Sequence, residues 1–260
     1  MIGIFDSGVG GMTVARAIET ALPDYPITYL GDIAKTPYGN KSAETITDYS
    51  LRNTEFLLNK GAEIIVIACN SAASVATKRL RHEFKVPIFE VISPAVDRAT
   101  RHTKSGRIGV IGTRATIRST IYEQKILAVG ESFKVFPQPC PLLVPLVEED
   151  WINKKETKMI LRRYLQPLKN KQVDTLVLGC THYPLLKKLI QPRIGKRVKL
   201  IDSSVAVAHS IRDYIGVKPA RVTKSHDQDP QHRYYVSDLT DSAEKIAEKL
   251  FGRKIELILI

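Results

Sequence analysis

One strand-and-turn pattern is written twice in this chain, and it limits the folds open to it. Residues 64–71 read IIVIACNS and residues 175–182 read TLVLGCTH. In each, a short apolar run of β-favouring residues ends in a small residue, then a cysteine, then polar residues able to hydrogen-bond, with a helical segment behind. A buried strand that delivers a side chain to a turn ahead of a helix is one unit of an alternating β/α fold. Two such units, carrying Cys69 and Cys180, suggest two half-sites.

The rest of the chain alternates in the same way, which predicts an α/β fold with mainly parallel sheets. Strands are expected at residues 2–5, 27–30, 64–68 and 86–91, with helices at 12–22, 43–60 and 72–84. On the second helix Ile46, Tyr49, Leu51, Phe56 and Leu57 are the expected inward residues. The pattern then restarts. Strands are expected at 107–111, 133–136, 173–178 and 198–201, and helices at 115–129, 154–168 and 203–214, the last capped by Ser203 or Ser204. A proline-rich passage, 137–145, runs into Leu146-Val147-Glu148-Glu149. Residues 221–233 read as an exposed polar loop, ahead of a strand at 234–236, a helix at 242–251 and a terminal strand at 254–260. The halves also align away from the cysteines: Gly3-Ile4-Phe5-Asp6-Ser7 matches Gly109-Val110-Ile111-Gly112-Thr113, and Val91-Ile92-Ser93 matches Ile201-Asp202-Ser203. The expected architecture is two similar α/β domains related by a pseudo-twofold axis, facing each other across a cleft.

Composition narrows the class. Contents of 43% hydrophobic and 25% charged residues are those of an ordinary globular chain, and no apolar run approaches the roughly 18 residues of a membrane span. The sequence opens directly on MIGIFDSG with no charged n-region, so no signal peptide is expected. Three widely separated cysteines make no disulfide framework, which points to a reducing cytoplasm. The net charge of +12 could serve a nucleic-acid binder or steer an anionic substrate. The basic residues are spread along the chain, however, without zinc-finger spacing, a helix-turn-helix signature or an aromatic-interleaved RNA motif. Solvated surface charge is the expectation, and specific nucleic-acid binding is not.

Ligands of open α/β sheets gather outside the carboxyl ends of the strands, where both cysteines fall. Each also stands ahead of a helix, whose free N–H groups and dipole lower a thiol pKa. Cys140, between Pro139 and Pro141, has no such setting and reads as structural. The spacing does not suit zinc: Cys180-Thr181-His182 offers a thiol and an imidazole, but Cys69 has no CxxC or HxxxH partner. A redox CxxC is missing too. A Cys180–His182 nucleophile pair stays open, although it leaves the matching Cys69 turn unexplained. The first turn, Gly8-Val9-Gly10-Gly11, departs from a dinucleotide fingerprint at Thr13, and there is no GK[ST] phosphate loop. What Asp6-Ser7-Gly8 offers is a carboxylate and a hydroxyl at a strand's carboxyl end.

Five segments, in order and in register, carry a family resemblance: GIFDSGVGG at 3–11, PYGNKS at 37–42, ACNSA at 68–72, PLVEE at 145–149 and GCTHYP at 179–184. Over essentially its whole length the chain resembles the glutamate racemases, cofactor-independent enzymes that supply D-glutamate for bacterial peptidoglycan. Its DSGVGG and GCTHYP forms are more similar to these than to aspartate racemases, which share the two-cysteine plan. Ser71 stands where the family more often has Thr, and a hydroxyl is kept. The resemblance implies an active site between two domains, residues 1–92 plus 205–260 and residues 93–204, with no cofactor and no metal. It also implies why two thiols are needed: inverting an α-carbon requires a proton taken on one face and returned on the other. The resemblance pairs Asp6 with Cys69, and Glu148 and His182 with Cys180. It further implies that Cys69 takes the proton from D-glutamate and Cys180 from L-glutamate. Adjacent Glu149 leaves the register of the acid open. Substrate contacts are implied at Asp6, Ser7, Tyr38, Gly39, Asn70, Ser71, Thr181 and His182. A racemase for aspartate or another acidic amino acid, and a basic nucleic-acid-binding protein retaining the fold, are the alternatives. A homodimer is compatible with all of these, although no dimer motif stands in the sequence.

Overall fold

The computed structural model describes residues 1–216 and 232–260. The first half of the chain forms β1 (Ile2–Asp6), α1 (Met12–Ala21), β2 (Ile27–Gly31), α2 (Ala43–Asn59), β3 (Ile64–Ile67), α3 (Asn70–Glu83), β4 (Ile88–Glu90) and α4 (Ile92–His102). Next come β5 (Arg107–Gly112), α5 (Arg114–Arg118), α6 (Ile121–Val129), β6 (Lys134–Pro139) and α7 (Leu143–Glu148). They are followed by α8 (Lys155–Asn170), β7 (Thr175–Gly179), α9 (Lys187–Ile194), β8 (Lys199–Asp202) and α10 (Ser203–Ile215). The last elements are β9 (Arg233–Val236), α11 (Asp241–Phe251) and β10 (Leu257–Leu259).

The strands form two parallel sheets, ordered β10-β9-β2-β1-β3-β4 and β6-β5-β7-β8. The duplication visible in the sequence is therefore one of topology: β2-β1-β3-β4 and β6-β5-β7-β8 follow the same order. In each, the chain steps outward from its first strand in one direction and then returns to build on the other side. That reversal opens a crevice at the carboxyl ends of β1 and β3, and another at those of β5 and β7. Asp6 ends β1, Cys69 follows β3, Gly112 ends β5 and Cys180 follows β7.

All five residues of β1 and of β7 are buried, as expected of parallel strands covered on both faces. One hydrophobic core runs through the larger sheet and takes in Ile108, Val110 and Val177 from the smaller one. A second core packs α8 and α9 on the smaller sheet through Leu161, Leu165, Leu176 and Ile190. Helix α10 packs on α1 and α4.

Several local expectations are corrected. The helix expected at 115–129 is two helices, because Thr120 takes a left-handed φ of 54° between α5 and α6. The proline-rich passage contributes to structure: Pro137 and Pro139 belong to β6, which lies at the edge of its sheet, where a missing N–H is tolerated. Its end forms α7. On α2 the buried residues are Ile46 and Leu57 together with Ser50, Asn53 and Thr54, whereas Tyr49, Leu51 and Phe56 are only partly buried. The hydroxyls of Ser50 and Thr54 donate to carbonyls one turn back, at 2.7 and 2.8 Å, which lets this polar stripe be buried. Helix α10 is capped by Asp202, whose carboxylate accepts from the Ser204 N–H. Of the loop expected at 221–233, residues up to 231 lie outside the described residues, while Arg233 opens β9.

Gly3 shows how tightly α2 lies on β1. A Cβ there would stand 2.7 Å from the Ala62 Cβ and 3.1 Å from the Leu57 Cβ. Gly3→Ala is expected to cost about 1–3 kcal/mol by overpacking, read as a lower urea midpoint with an unchanged slope. Adding Ala62→Gly should recover part of the loss.

Candidate active site

The loop after β1 is built around one carboxylate. Asp6 is fully buried, and its Oδ2 accepts the N–H groups of Gly8 and Gly11, each at 3.0 Å. Its Oδ1 accepts the hydroxyl of Thr181, from the turn after β7, at 3.3 Å. The same loop reaches back through Thr13, whose hydroxyl donates to the carbonyls of Gly10 at 2.8 Å and Thr181 at 3.1 Å. Gly10 and Gly11 permit this approach. A Cβ on Gly11 would fall 2.2 Å from the Asp6 Cβ, and one on Gly10 would fall 2.4 Å from His182 Nδ1.

Cys69 and Cys180 line one cavity between the strand ends. Cys69 is the N-cap of α3 and its thiol donates to the Ser7 hydroxyl at 3.5 Å. The Ser71 hydroxyl pairs with that of Thr113 from the other sheet at 2.8 Å, and Thr113 with Thr116 at 3.1 Å. Cys180 is set differently: it is followed by a short 3₁₀ turn, Tyr183–Leu186, before α9, so no regular helix begins behind it. Its neighbour is His182, whose Nδ1 lies 3.9 Å from the Cys180 Sγ and whose Nε2 lies 3.1 Å from Glu148 Oε1. Of the two adjacent acids, Glu148 is the one that reaches His182. The hydroxyl of Ser242 donates to the Glu148 carbonyl and ties α11 to the end of α7.

Ser7, Tyr38, Gly39, Asn70, Ser71, Thr181 and His182 line the cavity with the two cysteines; Asp6 and Glu148 stand behind that wall. Tyr38 lines it with its hydroxyl turned elsewhere, donating to Asp32 Oδ2 at 2.6 Å and accepting from Asn53 Nδ2 at 3.1 Å. Gly39 abuts Thr113, where a Cβ would fall 2.7 Å from the Thr113 Cβ. Thr113 also lines the cavity and was not among the residues singled out from the sequence. The signal for it was present, since the alignment of the halves pairs it with Ser7. The enclosed volume is about 20 Å³, room for roughly one water. A larger cavity of about 550 Å³, between α1 and α10, contains neither cysteine. Among the described residues, no group of three or more His, Cys, Asp or Glu side chains is placed to hold a metal ion.

Burial and neighbouring groups shift the proton affinities of Cys69, Asp6 and His182. Burial, then the Asp6 carboxylate, pushes the Cys69 thiol up to about 12, against the hydrogen bonds of Ser7 and the Ala72 N–H. Burial also raises Asp6, only partly offset by the charge of His182 and by the three hydrogen bonds it accepts. For His182, burial opposes the charge, but hydrogen bonds to Cys180 and Glu148 and their charges outweigh it and hold the imidazole up to about 10.

Residues 11–211 match the family described as Asp/Glu/Hydantoin racemase. The glutamate racemase of Persephonella marina is 45% identical over 256 residues, covering 98% of this chain and 95% of that relative. A glutamate racemase isoform of Bacillus anthracis has a TM-score of 0.92 at 35% identity, covering 100% of this chain and 97% of that one. The glutamate racemase of Francisella tularensis, solved in complex with D-glutamate, has a TM-score of 0.90 at 31% identity, covering 100% and 96%. Fold and kinship together define an isomerase. The chain belongs to the Asp/Glu/hydantoin racemase family.

The His182 shift has a consequence for stability. Its folded value near 10 lies above the ordinary 6.5, so folding favours the imidazolium. That contribution is complete below about pH 6.5 and is lost as the pH rises toward 10. Urea unfolding of the wild type and of His182→Gln should converge in stability across this window. Parallel pH profiles for the two proteins would contradict the assignment.

Proposed function

We propose that this chain interconverts L- and D-glutamate by passing the α-proton between two thiols, without a cofactor. The observation that carries the reading is that Cys69 and Cys180 follow equivalent strands of two like sheets and line one cavity. The α-hydrogen of an amino acid is weakly acidic, and inversion needs its removal on one face and return on the other. Two monoprotic groups suffice, one as thiolate and one as thiol.

The unlike surroundings of the two sulfurs support this division. Cys69, pushed up to about 12, keeps its proton at neutral pH and is an acid. Cys180 has the His182 imidazole beside it, with Nδ1 3.9 Å from its Sγ. The Cys180 thiolate takes the proton of L-glutamate, and the Cys69 thiol protonates the opposite face. D-glutamate leaves behind a Cys180 thiol and a Cys69 thiolate; exchange of protons with water resets them for another L-glutamate, and turnover of D-glutamate resets them directly. Asp6 and Glu148 act through neighbours, the first behind Ser7 and Cys69, the second through His182. Ser7, Asn70, Ser71 and Thr181, with the backbone at Tyr38 and Gly39, supply donors for the substrate's carboxylates, and such donors stabilise charge as the α-proton leaves. Because the cavity holds about one water, it must widen to admit a substrate.

Glutamate is favoured because the relatives carry that name across nearly their full lengths and because the Francisella structure holds D-glutamate. The product serves peptidoglycan synthesis in the cytoplasm. The two units are residues 1–92 plus 205–260 and residues 93–204.

Circular dichroism of L-glutamate incubated with the purified chain tests the reading. Cys69→Ala and Cys180→Ala should each lose at least about 10²-fold in turnover, whereas Cys140→Ala, whose sulfur lies in the second core, should turn over normally. Near wild-type turnover by either of the first two variants would sink the two-thiol mechanism.

A further inference from the structure

Asn70 opens α3 directly after Cys69 and is 2% exposed. Its Oδ1 accepts the hydroxyl of Tyr122 at 2.7 Å, while its Nδ2 is buried with no hydrogen-bond partner. Burying an unpaired amide donor costs free energy that native structures rarely leave uncompensated. Asn70 lines the cysteine cavity and Tyr122 does not. The amide is thus gripped by its oxygen from behind the cavity wall, and its unpaired donor is the atom left for whatever the cavity holds.

The grip is built from the other half of the molecule. Tyr122 stands in the first turn of α6, two residues after Thr120, whose left-handed backbone breaks the helix run and starts α6 in a new direction. Such a conformation is unfavourable for a β-branched residue and persists only where its surroundings impose it. The Tyr122 ring packs against the end of β7, where a Cβ on Gly179 would lie 3.3 Å from its Cε2. Burial, then the charges of Glu90 and Cys180, raises the phenol well above its ordinary value. Its O–H therefore stays a donor, and turning the Asn70 amide over would cost that hydroxyl its acceptor.

We propose that Tyr122 is a positioning residue: it fixes the Asn70 amide so that Nδ2 donates to a carboxylate of the substrate between the two cysteines. This inference rests on the racemase reading above. A carboxylate suits the place because it accepts only, and because the α-carboxylate gathers charge as the α-proton departs. Tyr122 touches no substrate and moves no proton.

A double-mutant cycle with glutamate as the probe tests this. Tyr122→Phe removes one oxygen and keeps the ring. It should lower kcat/KM about tenfold, with the pH dependence of turnover unchanged and the unfolding midpoint lowered only by the loss of one buried hydrogen bond. On an Asn70→Ala background, the same substitution should cost nothing further. Equal losses in both backgrounds, or no loss in the first, would overturn the assignment. Asn70→Asp gives an independent check: it keeps an acceptor for Tyr122 but has no amide donor, so wild-type turnover by that variant would also overturn it. If the wild-type chain itself fails to racemise glutamate, the reading beneath has failed instead, and the two failures are distinguishable.

Discussion

The site depends on one buried carboxylate. Asp6 holds the loop after β1 in shape through two backbone N–H groups, and receives the Thr181 hydroxyl from the turn after β7. Thr13 returns the contact by donating to the Thr181 carbonyl. Two strand ends that are far apart in sequence are thereby set against each other, and the cysteines beside them come to share a cavity. The glycines of that loop follow from this closeness, since a side chain on Gly10 or Gly11 would occupy the space of His182 or of Asp6 itself. Burial is also what keeps Asp6 above the ordinary carboxylate range.

The two halves share a topology and differ in charge. Asp6 at the end of β1 corresponds to Gly112 at the end of β5, while Cys69 and Cys180 occupy equivalent turns. After the first cysteine come Asn70 and Ser71, and after the second Thr181 and His182. The duplicated backbone thus presents two thiols symmetrically. The substituted neighbours differ in kind: a buried carboxylate, Asp6, stands at the first strand end, and an imidazole paired with Glu148 stands beside Cys180. A symmetric scaffold with unlike neighbours suits the two-thiol exchange proposed above, whose two ends are mirror images.

Much of this was legible in the sequence because the strands of a parallel sheet are apolar throughout and the turns after them are punctuated by Gly, Ser and Cys. The β-strands, the repeated unit and the cysteine turns all followed from that contrast. What escaped notice was carried by residues with no periodic signature. Thr120 resembles any other helical threonine until its φ is known, so α5 and α6 read as one helix. Ser50, Asn53 and Thr54 look solvent-facing on α2, yet they are buried because their polar atoms find partners within the fold. Tyr38 lines the cavity, yet its hydroxyl donates to Asp32, a partner no motif pointed to. Tyr122 carries no motif at all, and its bond to Asn70 appears only in the structure.

In the two-thiol reaction proposed above, the proton removed and the proton returned belong to different sulfurs. Early-time analysis of L-glutamate racemised in D2O tests it most directly. The D-glutamate formed first should carry deuterium at the α-carbon, while the L-glutamate recovered alongside it remains protiated. Protium retained in the product, or equal deuterium in product and recovered substrate from the earliest times, would point to a single base serving both faces and would contradict the account.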